Sequence, residues 1–269
     1  MNSIKNNEIL KTSITENGIF RLVLSNPDSQ NVLSEEMMSN IQSALDESIN
    51  TKRIRVIIIS AEGPIFSAGH DLKELTKKRQ DSDKGKNYYQ KIMKKCSKLM
   101  QSIINNPKPV IAEIDGVATA AGCQLIASCD LAYASNLSKF ATPGVNIGLF
   151  CSTPMVAVSR NISNKHSMEM LLGGELITAD KAEKIGLINK SIDKTTLKEE
   201  TLKMALKISK KSALTLKIGK EAFYKQINMN LSDAYDYASN VMVENMLKHD
   251  AKEGIEAFIT KRKPNWQDK

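Results

Sequence analysis

Apolar and polar positions in the first quarter of the chain predict two strands, a helix and a third strand. Strand-like runs at residues 9–14 and 19–24 flank Asn17-Gly18, a strong signal for a β-hairpin. Ser34 can cap a helix whose apolar positions recur at helical spacing, at Met38, Ile41, Leu45 and Ile49. The apolar run at residues 56–59 predicts a strand buried on both faces. This order is typical of a parallel βαβ unit and predicts an α/β fold.

The rest of the chain predicts further buried strands and then a helical end. The expected elements are strands at residues 110–114 and 131–134 and helices at 124–128, 168–172, 179–184, 197–210, 213–226 and 231–248. Gly173-Gly174 and Gly186 supply two helix ends, while Thr196 and Glu199 form a capping box. A helical C-terminal third is therefore expected to follow the α/β front.

Composition restricts the class of protein. The 269 residues are 41% hydrophobic and 25% charged, which excludes disordered, collagen-like and coiled-coil chains and favours one large globular unit. The four cysteines are too few for a disulfide framework, and the three histidines are too far apart in sequence to predict a metal site. The longest apolar run is far below the roughly 20 residues of a membrane span. We expect a cytoplasmic protein, or one of the mitochondrial matrix if a presequence has been removed.

Charge suggests an anionic partner. Lys and Arg exceed Asp and Glu by 38 to 30, a net charge of +8. Ten of these basic residues lie between Lys73 and Lys98, against three acidic ones. Such a run usually forms a solvated helix face, but nucleic acid, acidic lipid or a phosphorylated ligand would also suit it. Because no basic–aromatic platform accompanies the run, nucleic acid is not favoured.

Two glycine-containing turns, residues 66–73 and 116–124, are the candidate chemical segments. Small residues let a ligand approach main-chain amides closely, and the N-terminus of a helix has N–H groups without acceptors. Two such turns facing one point would hold an oxygen that becomes negative. Spacing alone favours the simpler interpretation of tight βα turns. Neither turn has the glycine pattern of a P-loop or a dinucleotide-binding motif.

Together these segments resemble the enoyl-CoA hydratase/isomerase (crotonase) family over nearly the whole chain. The matching segments are residues 26–34, 66–73, 108–112, 116–124, 129–132, 186–189 and 258–264. Three longer strings, SAEGPIFSAGHDLKEL, ATAAGCQLIASCDLAYAS and FATPGVNIGLFCSTP, resemble one subgroup. The resemblance implies an acyl-CoA-binding spiral of ββα turns (1–200), a helical region (201–269) that builds a homotrimer or a dimer of trimers, and no cofactor beyond the coenzyme A of the substrate.

The resemblance also implies the residues of the site. The backbone N–H groups of His70 and Ala121 would bind the thioester oxygen, and Ala121 replaces a more usual glycine. Lys73 would contact the phosphates of coenzyme A, as would Lys261, which a neighbouring subunit could supply. The full set implied for the substrate is Val32, Ala68, His70, Asp71, Leu72, Lys73, Ala121, Phe258 and Lys261.

Two departures concern the acid and base of a hydratase. The family's first glutamate position holds Gln124, and its second holds Gly144. Since Gln124 orients water but accepts no proton, and each lost acid or base costs about 10²–10⁴-fold, efficient hydration is not expected. Weak hydratase-like or other thioester chemistry and a non-catalytic acyl-CoA binder both stay open. Restoring both glutamates should raise hydration if the geometry is conventional.

Four other groups are candidates for chemistry. The His70 imidazole titrates near neutrality, although the family uses this position through its main chain. Cys151 and Ser152 lack a visible activating partner. Glu113 and Asp115 flank Ile114 on a strand, but their place at a strand end is equally typical of solvated acids. Asp130 is expected to hold neighbouring backbone groups.

Overall fold

The computed structural model describes residues 8–269 and contains ten strands and eleven helices in that range. The strands are β1 (Leu10–Ile14), β2 (Ile19–Leu24), β3 (Val56–Ala61), β4 (Ile65–Ser67), β5 (Val110–Ile114), β6 (Val117–Thr119), β7 (Leu131–Ser135), β8 (Lys139–Ala141), β9 (Ile177–Thr178) and β10 (Lys190–Ile192). The helices are α1 (Glu35–Asn50), α2 (Leu72–Lys77), α3 (Lys86–Asn105), α4 (Ala121–Ser128), α5 (Ser152–Val158), α6 (Asn164–Gly173), α7 (Ala179–Ile185), α8 (Leu197–Ser209), α9 (Ala213–Gln226), α10 (Leu231–Met246) and α11 (His249–Ile259).

The strands form two sheets that the chain visits alternately. One sheet has the order β1-β2-β3-β5-β7-β10, and the other has the order β4-β6-β8-β9. Each turn of the chain adds one parallel strand to the first sheet, one to the second, and then a helix. This is the predicted crotonase-like spiral of ββα turns, and the α/β class is confirmed.

The core explains why β3 is a continuous apolar run. Ile57 and Ile59 face the main hydrophobic cluster inside the spiral, whereas Val56 and Ile58 face a second cluster beneath α8. Helix α1 buries Met38, Ile41 and Leu45 in the main cluster, and its Ile49 is exposed. Both faces of the sheet are therefore covered, as parallel strands require.

Several element predictions are confirmed and others are corrected. The hairpin forms with Ile14 opposite Phe20, and Ser34 caps α1 by accepting from the N–H of Met37. The predicted capping box is wrong, because the Thr196 hydroxyl donates to the carbonyl of Asp193 and makes no helix-capping bond. Helix α4 begins at Ala121, three residues earlier than predicted. Helix α11 and the individual strands of the second sheet were not predicted from the sequence pattern.

The helical end is joined to the spiral through α8. The boundary expected at residue 200 falls within this helix, whose Leu197 and Ala205 pack on Ile58 and its neighbours. Helices α9, α10 and α11 pack on one another after it. Helices α10 and α11, with Leu247 between them, leave a set of large apolar side chains exposed: Leu231, Tyr235, Met242, Val243, Met246, Leu247, Ile255, Phe258 and Ile259. No helix within residues 8–269 is long and apolar enough to cross a membrane.

The C-terminal segment is held against α11 by Glu253, and we expect acid to loosen it. Glu253 accepts from both terminal nitrogens of Arg262 (2.6 and 2.9 Å) and from the N–H of Asn265 (2.7 Å). The hydrogen bonds from Arg262 lower the pKa of Glu253 from 4.5 to about 2. A lowered pKa stabilises the folded state above pH 4.5, and this contribution is lost as the pH falls towards 2.

The fluorescence of Trp266 can report the loosening of the C-terminal segment when Glu253 is protonated. Trp266 is the only tryptophan, and its indole N–H donates to the carbonyl of Lys210. We expect the emission to change between pH 4.5 and 2 before helical circular dichroism is lost. In Glu253→Gln, this separate change in emission between pH 4.5 and 2 should be absent. A variant that keeps the same acid step would show that another group controls it.

Candidate active site

The two glycine-containing turns meet in space. Gly69 has φ +91°, and a Cβ built on it would lie 3.0 Å from the Cβ of Ala120 and 3.1 Å from the nitrogen of Ala121. The hydroxyl of Thr119 donates to the carbonyl of Ala68 across the junction (3.1 Å). Glycine is required at 69 both for its left-handed backbone and for this close approach. The structure thus brings His70 and Ala121 to adjoining turns.

Each turn presents a backbone donor without an acceptor. Ala121 is the first residue of α4, so its N–H has no intrahelical partner. The hydrogen bonds of the described residues include none from the N–H of Ala121 or His70. The neighbouring Gly69 carbonyl is occupied, because it accepts from the N–H of Leu33 (2.7 Å). The adjoining turns therefore carry two backbone N–H groups with no acceptor among the described residues.

Ala120 carries backbone strain at this junction. Its φ of 50° and ψ of −118° are unusual for a residue with a Cβ, and its N–H donates to the carbonyl of Ala141 (3.0 Å). Such strain typically costs about 1–3 kcal/mol and concentrates at functional sites. The sequence analysis did not single out Ala120; its position beside Ala121 in a glycine-containing turn was the available signal.

The predicted substrate residues fall into two groups. Val32, Ala68, Asp71, Leu72 and Lys73 lie in or beside the first turn. The carboxylate of Asp71 caps α2 by accepting from the N–H of Lys73 (2.8 Å) and of Glu74 (3.1 Å). The Lys73 side chain is exposed.

The second group lies on the helical end. Phe258 is 85% exposed near the end of α11, and Lys261 is exposed just after it. Helix α11 packs on α9 and α10.

Asn31 fixes the segment in front of the first turn. Its fully buried side chain accepts from the N–H of Asn26 (2.8 Å) and donates to the carbonyls of Glu62 (2.8 Å) and Ile65 (2.7 Å). The adjoining Gln30 carbonyl accepts from the N–H of Ala68 (3.1 Å). Asn31 therefore positions the turn, a role that the sequence analysis missed because its partners are distant in sequence.

Gln124 is buried at the end of the second glycine-containing turn, residues 116–124. It is 4% exposed, and its side-chain oxygen lies 3.8 Å from the sulfur of Cys96 on α3. Burial raises the pKa of Cys96 to about 12, so this thiol stays protonated and can donate. The amide can hold a hydrogen-bonding partner but cannot exchange a proton at neutral pH.

The backbone closes tightly around Gly144. A Cβ there would lie 2.7 Å from the carbonyl oxygen of Leu149 and 2.9 Å from the sulfur of Cys151. The Gly144 N–H donates to that sulfur (3.3 Å), and its carbonyl accepts from the N–H of Leu149 (2.9 Å). Burial raises the pKa of Cys151, although the Gly144 N–H partly offsets this effect. Cys151 thus fills the space of a side chain at 144, and its surroundings do not favour the thiolate that a nucleophile needs.

We expect Gly144→Ala to lower the free energy of unfolding by about 1–3 kcal/mol, the usual cost of overpacking. Urea denaturation measures the change. Gly173→Ala is the matched control, since a Cβ at Gly173 meets nothing within 4 Å. Equal stability of Gly144→Ala and the wild type would mean that the 144–151 segment adapts freely.

The other candidate carboxylates are engaged in ion pairs. Glu113 binds Arg21 through both oxygens, at 2.8 and 3.0 Å, and Asp115 lies 3.1 Å from Lys194. The Asp130 carboxylate accepts from the N–H of Val110 (2.7 Å), as expected, and also from Lys220 (2.6 Å).

The Ser152 hydroxyl donates to the carbonyl of Phe150 (3.3 Å). Residues 8–269 contain no group of three or more His, Cys, Asp or Glu that could hold a metal ion.

The ring nitrogens of His70 make no hydrogen bond of ordinary geometry within the described part of the chain. Both nitrogens are buried, and the ring interacts with the backbone of Leu33. Burial lowers the pKa of the imidazole below 6.5, and the backbone of Leu33 partly offsets this effect. The ring is therefore neutral at pH 7.

Comparison with known proteins identifies similar chains. The model of the enoyl-CoA hydratase/isomerase family matches residues 14–269. Enoyl-CoA hydratase domain-containing protein 3, mitochondrial, from Mus musculus is 48% identical over 257 residues, 96% of this chain and 84% of that protein. Its Homo sapiens counterpart is 49% identical over 249 residues, 93% and 80% of the two chains. These proteins represent the subgroup that the three longer strings resemble.

Solved structures agree with this relation. The crystal structure of human enoyl coenzyme A hydratase domain-containing protein 3 has a TM-score of 0.91 and 47% identity, covering 96% of this chain and 100% of that chain. A crystal structure of an enoyl-CoA hydratase from Mycobacterium smegmatis has a TM-score of 0.91 and 40% identity, covering 97% and 99%. The fold and most of the chain are therefore shared.

Proposed function

The chain belongs to the enoyl-CoA hydratase/isomerase family, and on that premise we propose that it binds acyl-CoA thioesters and polarises their carbonyl group. The backbone N–H groups of His70 and Ala121 form the oxyanion hole in this proposal. The observation that carries it is the pair of unpaired donors on two turns in direct contact. Backbone donors do not depend on side-chain identity, so Ala121 serves as well as a glycine if its conformation is kept.

The chemistry follows from where charge develops. Enolate and tetrahedral intermediates place negative charge on the thioester oxygen, and each preorganised donor contributes about 2.7–4 kcal/mol to their stabilisation. Gln124 positions water for weak hydration, or the hole serves another thioester reaction. No cofactor beyond coenzyme A is required. A hydration reaction would make the protein a lyase of fatty acid metabolism.

The substrate would extend from the hole across the first turn. Val32, Ala68, Asp71 and Leu72 surround the thioester end, and Lys73 reaches the phosphates. The exposed apolar residues of α10 and α11 support assembly as a homotrimer or a dimer of trimers. In such an assembly, Phe258 and Lys261 would meet coenzyme A bound to a neighbouring subunit.

The same site also supports a non-catalytic acyl-CoA binder. The favouring observation is that position 144 is closed by Leu149 and Cys151, at the point where the family places its second glutamate. For this reason we expect Gln124→Glu/Gly144→Glu to hydrate crotonyl-CoA no faster than Gln124→Glu alone. Faster hydration by the double variant would show that the 144–151 segment moves to admit the second carboxylate.

Incubation with a panel of acyl- and enoyl-CoAs, with products identified by mass, separates the enzyme from the binder. Turnover above the thermal background supports the enzyme, and tight binding without any product supports the binder. Absence of binding to every thioester in the panel would overturn both forms of the proposal. A parallel titration with oligonucleotides across salt concentrations tests the nucleic-acid alternative.

Lys73→Ala should weaken acyl-CoA binding several-fold and make it less dependent on salt, because one phosphate contact is removed. It should leave binding of the matching acyl-pantetheine, which lacks those phosphates, unchanged. Lys198→Ala, at an exposed lysine of α8 outside both glycine-containing turns, is the matched control. An equal loss of affinity for acyl-CoA and for acyl-pantetheine would show that Lys73 does not contact the phosphates.

For location, the similar mouse and human proteins are named as mitochondrial. We propose a mitochondrial location in place of the cytoplasmic one that the sequence analysis expects. Fractionation of source cells with an antibody to the chain tests it.

A further inference from the structure

The imidazole of His70 has properties that the oxyanion hole does not use. Its two ring nitrogens are buried and make no hydrogen bond of ordinary geometry among the described residues, although its backbone N–H is one of the two proposed donors. Buried polar atoms without partners are rare in proteins, and each one calls for an explanation. By contrast, His166 on α6 pairs with the hydroxyl of Ser163 (3.1 Å).

We propose that the His70 imidazole is the base that removes an α-proton from the bound acyl-CoA. This inference rests on the proposed function, since it takes the thioester oxygen to be held by His70 and Ala121. The ring belongs to the residue that supplies one of the two donors, so a carbonyl bound there is within one side chain's length of it. Because neither nitrogen makes a hydrogen bond of ordinary geometry, turning towards the ligand costs the ring only its interaction with the backbone of Leu33.

The proton balance of the step is simple. The C–H bond at the α-carbon breaks, and its electron pair forms the new C=C bond of the enolate. The carbonyl π pair moves to oxygen, where the two backbone N–H groups stabilise it. The proton forms an N–H bond on the neutral imidazole. Return of a proton from the ring to the α-carbon restores the acyl-CoA, so no oxidant or co-reactant is needed.

The surroundings keep the base neutral. Burial is the main cause of the lowered pKa of His70, and the only opposing cause is the backbone of Leu33. The adjacent carboxylate of Asp71 is engaged by the N–H groups of Lys73 and Glu74, and the Lys73 side chain is exposed. Because its pKa lies below the ordinary value of 6.5, the ring is deprotonated at pH 7. The rate of α-proton exchange should therefore be constant above pH 7 and fall only in more acidic buffer.

Exchange of the α-protons of butyryl-CoA for deuterium in D₂O, followed by mass spectrometry, tests the inference. The wild type should incorporate deuterium, and His70→Gln and His70→Ala should lose about 10²–10⁴-fold in exchange rate, as expected for a lost general base. Both variants keep the backbone N–H, so their dissociation constants for butyryl-CoA should stay near that of the wild type. His166→Gln should exchange like the wild type.

The outcomes separate this inference from the proposed function. Binding of butyryl-CoA with no exchange by the wild type, or wild-type exchange by His70→Gln, overturns the role of the imidazole and leaves the oxyanion hole standing. Absence of binding by the wild type overturns the proposed function itself. If a His70 variant fails to fold, imidazole resonances decide the question in the wild type: those of His70 should shift when butyryl-CoA binds, and unchanged resonances contradict the contact.

Discussion

Replacing Ala121 with proline is expected to slow turnover of the best acyl-CoA substrate by about 10²–10³-fold, the usual cost of losing one oxyanion donor. Proline at the first position of a helix removes an N–H that the helix itself does not use. Because Ala120 has positive φ and precedes the new ring, the substitution is best made in an Ala120→Gly parent, which relieves the backbone strain.

Asn164→Pro is the matched control for this loss. It places proline at the first position of α6, on an exposed residue whose preceding Ser163 has φ −61° and ψ 153°, a geometry that suits a following proline. Turnover should be unchanged there. If the Ala121 variant keeps full turnover while remaining folded, the N–H of Ala121 takes no part in the chemistry.

Asp130→Ala is expected to lower the free energy of unfolding by about 3–5 kcal/mol, because it leaves a buried ammonium without its partner. The Lys220 side chain is 8% exposed, and its amine lies 2.6 Å from the Asp130 carboxylate. Tyr224 on the same helix donates to the other oxygen (3.0 Å). Burial raises the pKa of Asp130 and lowers that of Lys220, and their mutual attraction opposes both shifts.

This cluster joins α9 to the strands that lead into the second turn, since Asp130 also accepts from the N–H of Val110 at the start of β5. Urea unfolding measures the loss. The double variant Asp130→Ala/Lys220→Met should recover part of it, because no buried charge is left unpaired. A single variant as stable as the wild type would show that water reaches Lys220 and that the pair contributes little.

The sequence predicted the parts of the fold that depend on local pattern. The β1–β2 hairpin and the buried strand β3 follow from Asn17-Gly18 and from a run of apolar residues. The strands of the second sheet were missed by the pattern because β4, β6, β8 and β9 have only two or three residues each, too few for a period to show. The capping box at Thr196 failed because the nearby Asp193 carbonyl competes for the same hydroxyl.

In the candidate site, too, the sequence supplied some residues and only the structure revealed the others. Resemblance to the family supplied His70 and Ala121, whose roles depend on the main chain and on position in a motif. It did not supply the strain at Ala120 or the bonds of Asn31, which depend on contacts between distant segments. The closure of Gly144 by Leu149 and Cys151 likewise became visible only in three dimensions.

A crystal structure of the protein with bound butyryl-CoA tests the proposed oxyanion hole most directly. The thioester oxygen is expected to lie about 2.7–3.1 Å from the backbone nitrogens of both His70 and Ala121. A complex in which that oxygen faces solvent, or contacts neither nitrogen, would contradict the hole and with it the proposed function.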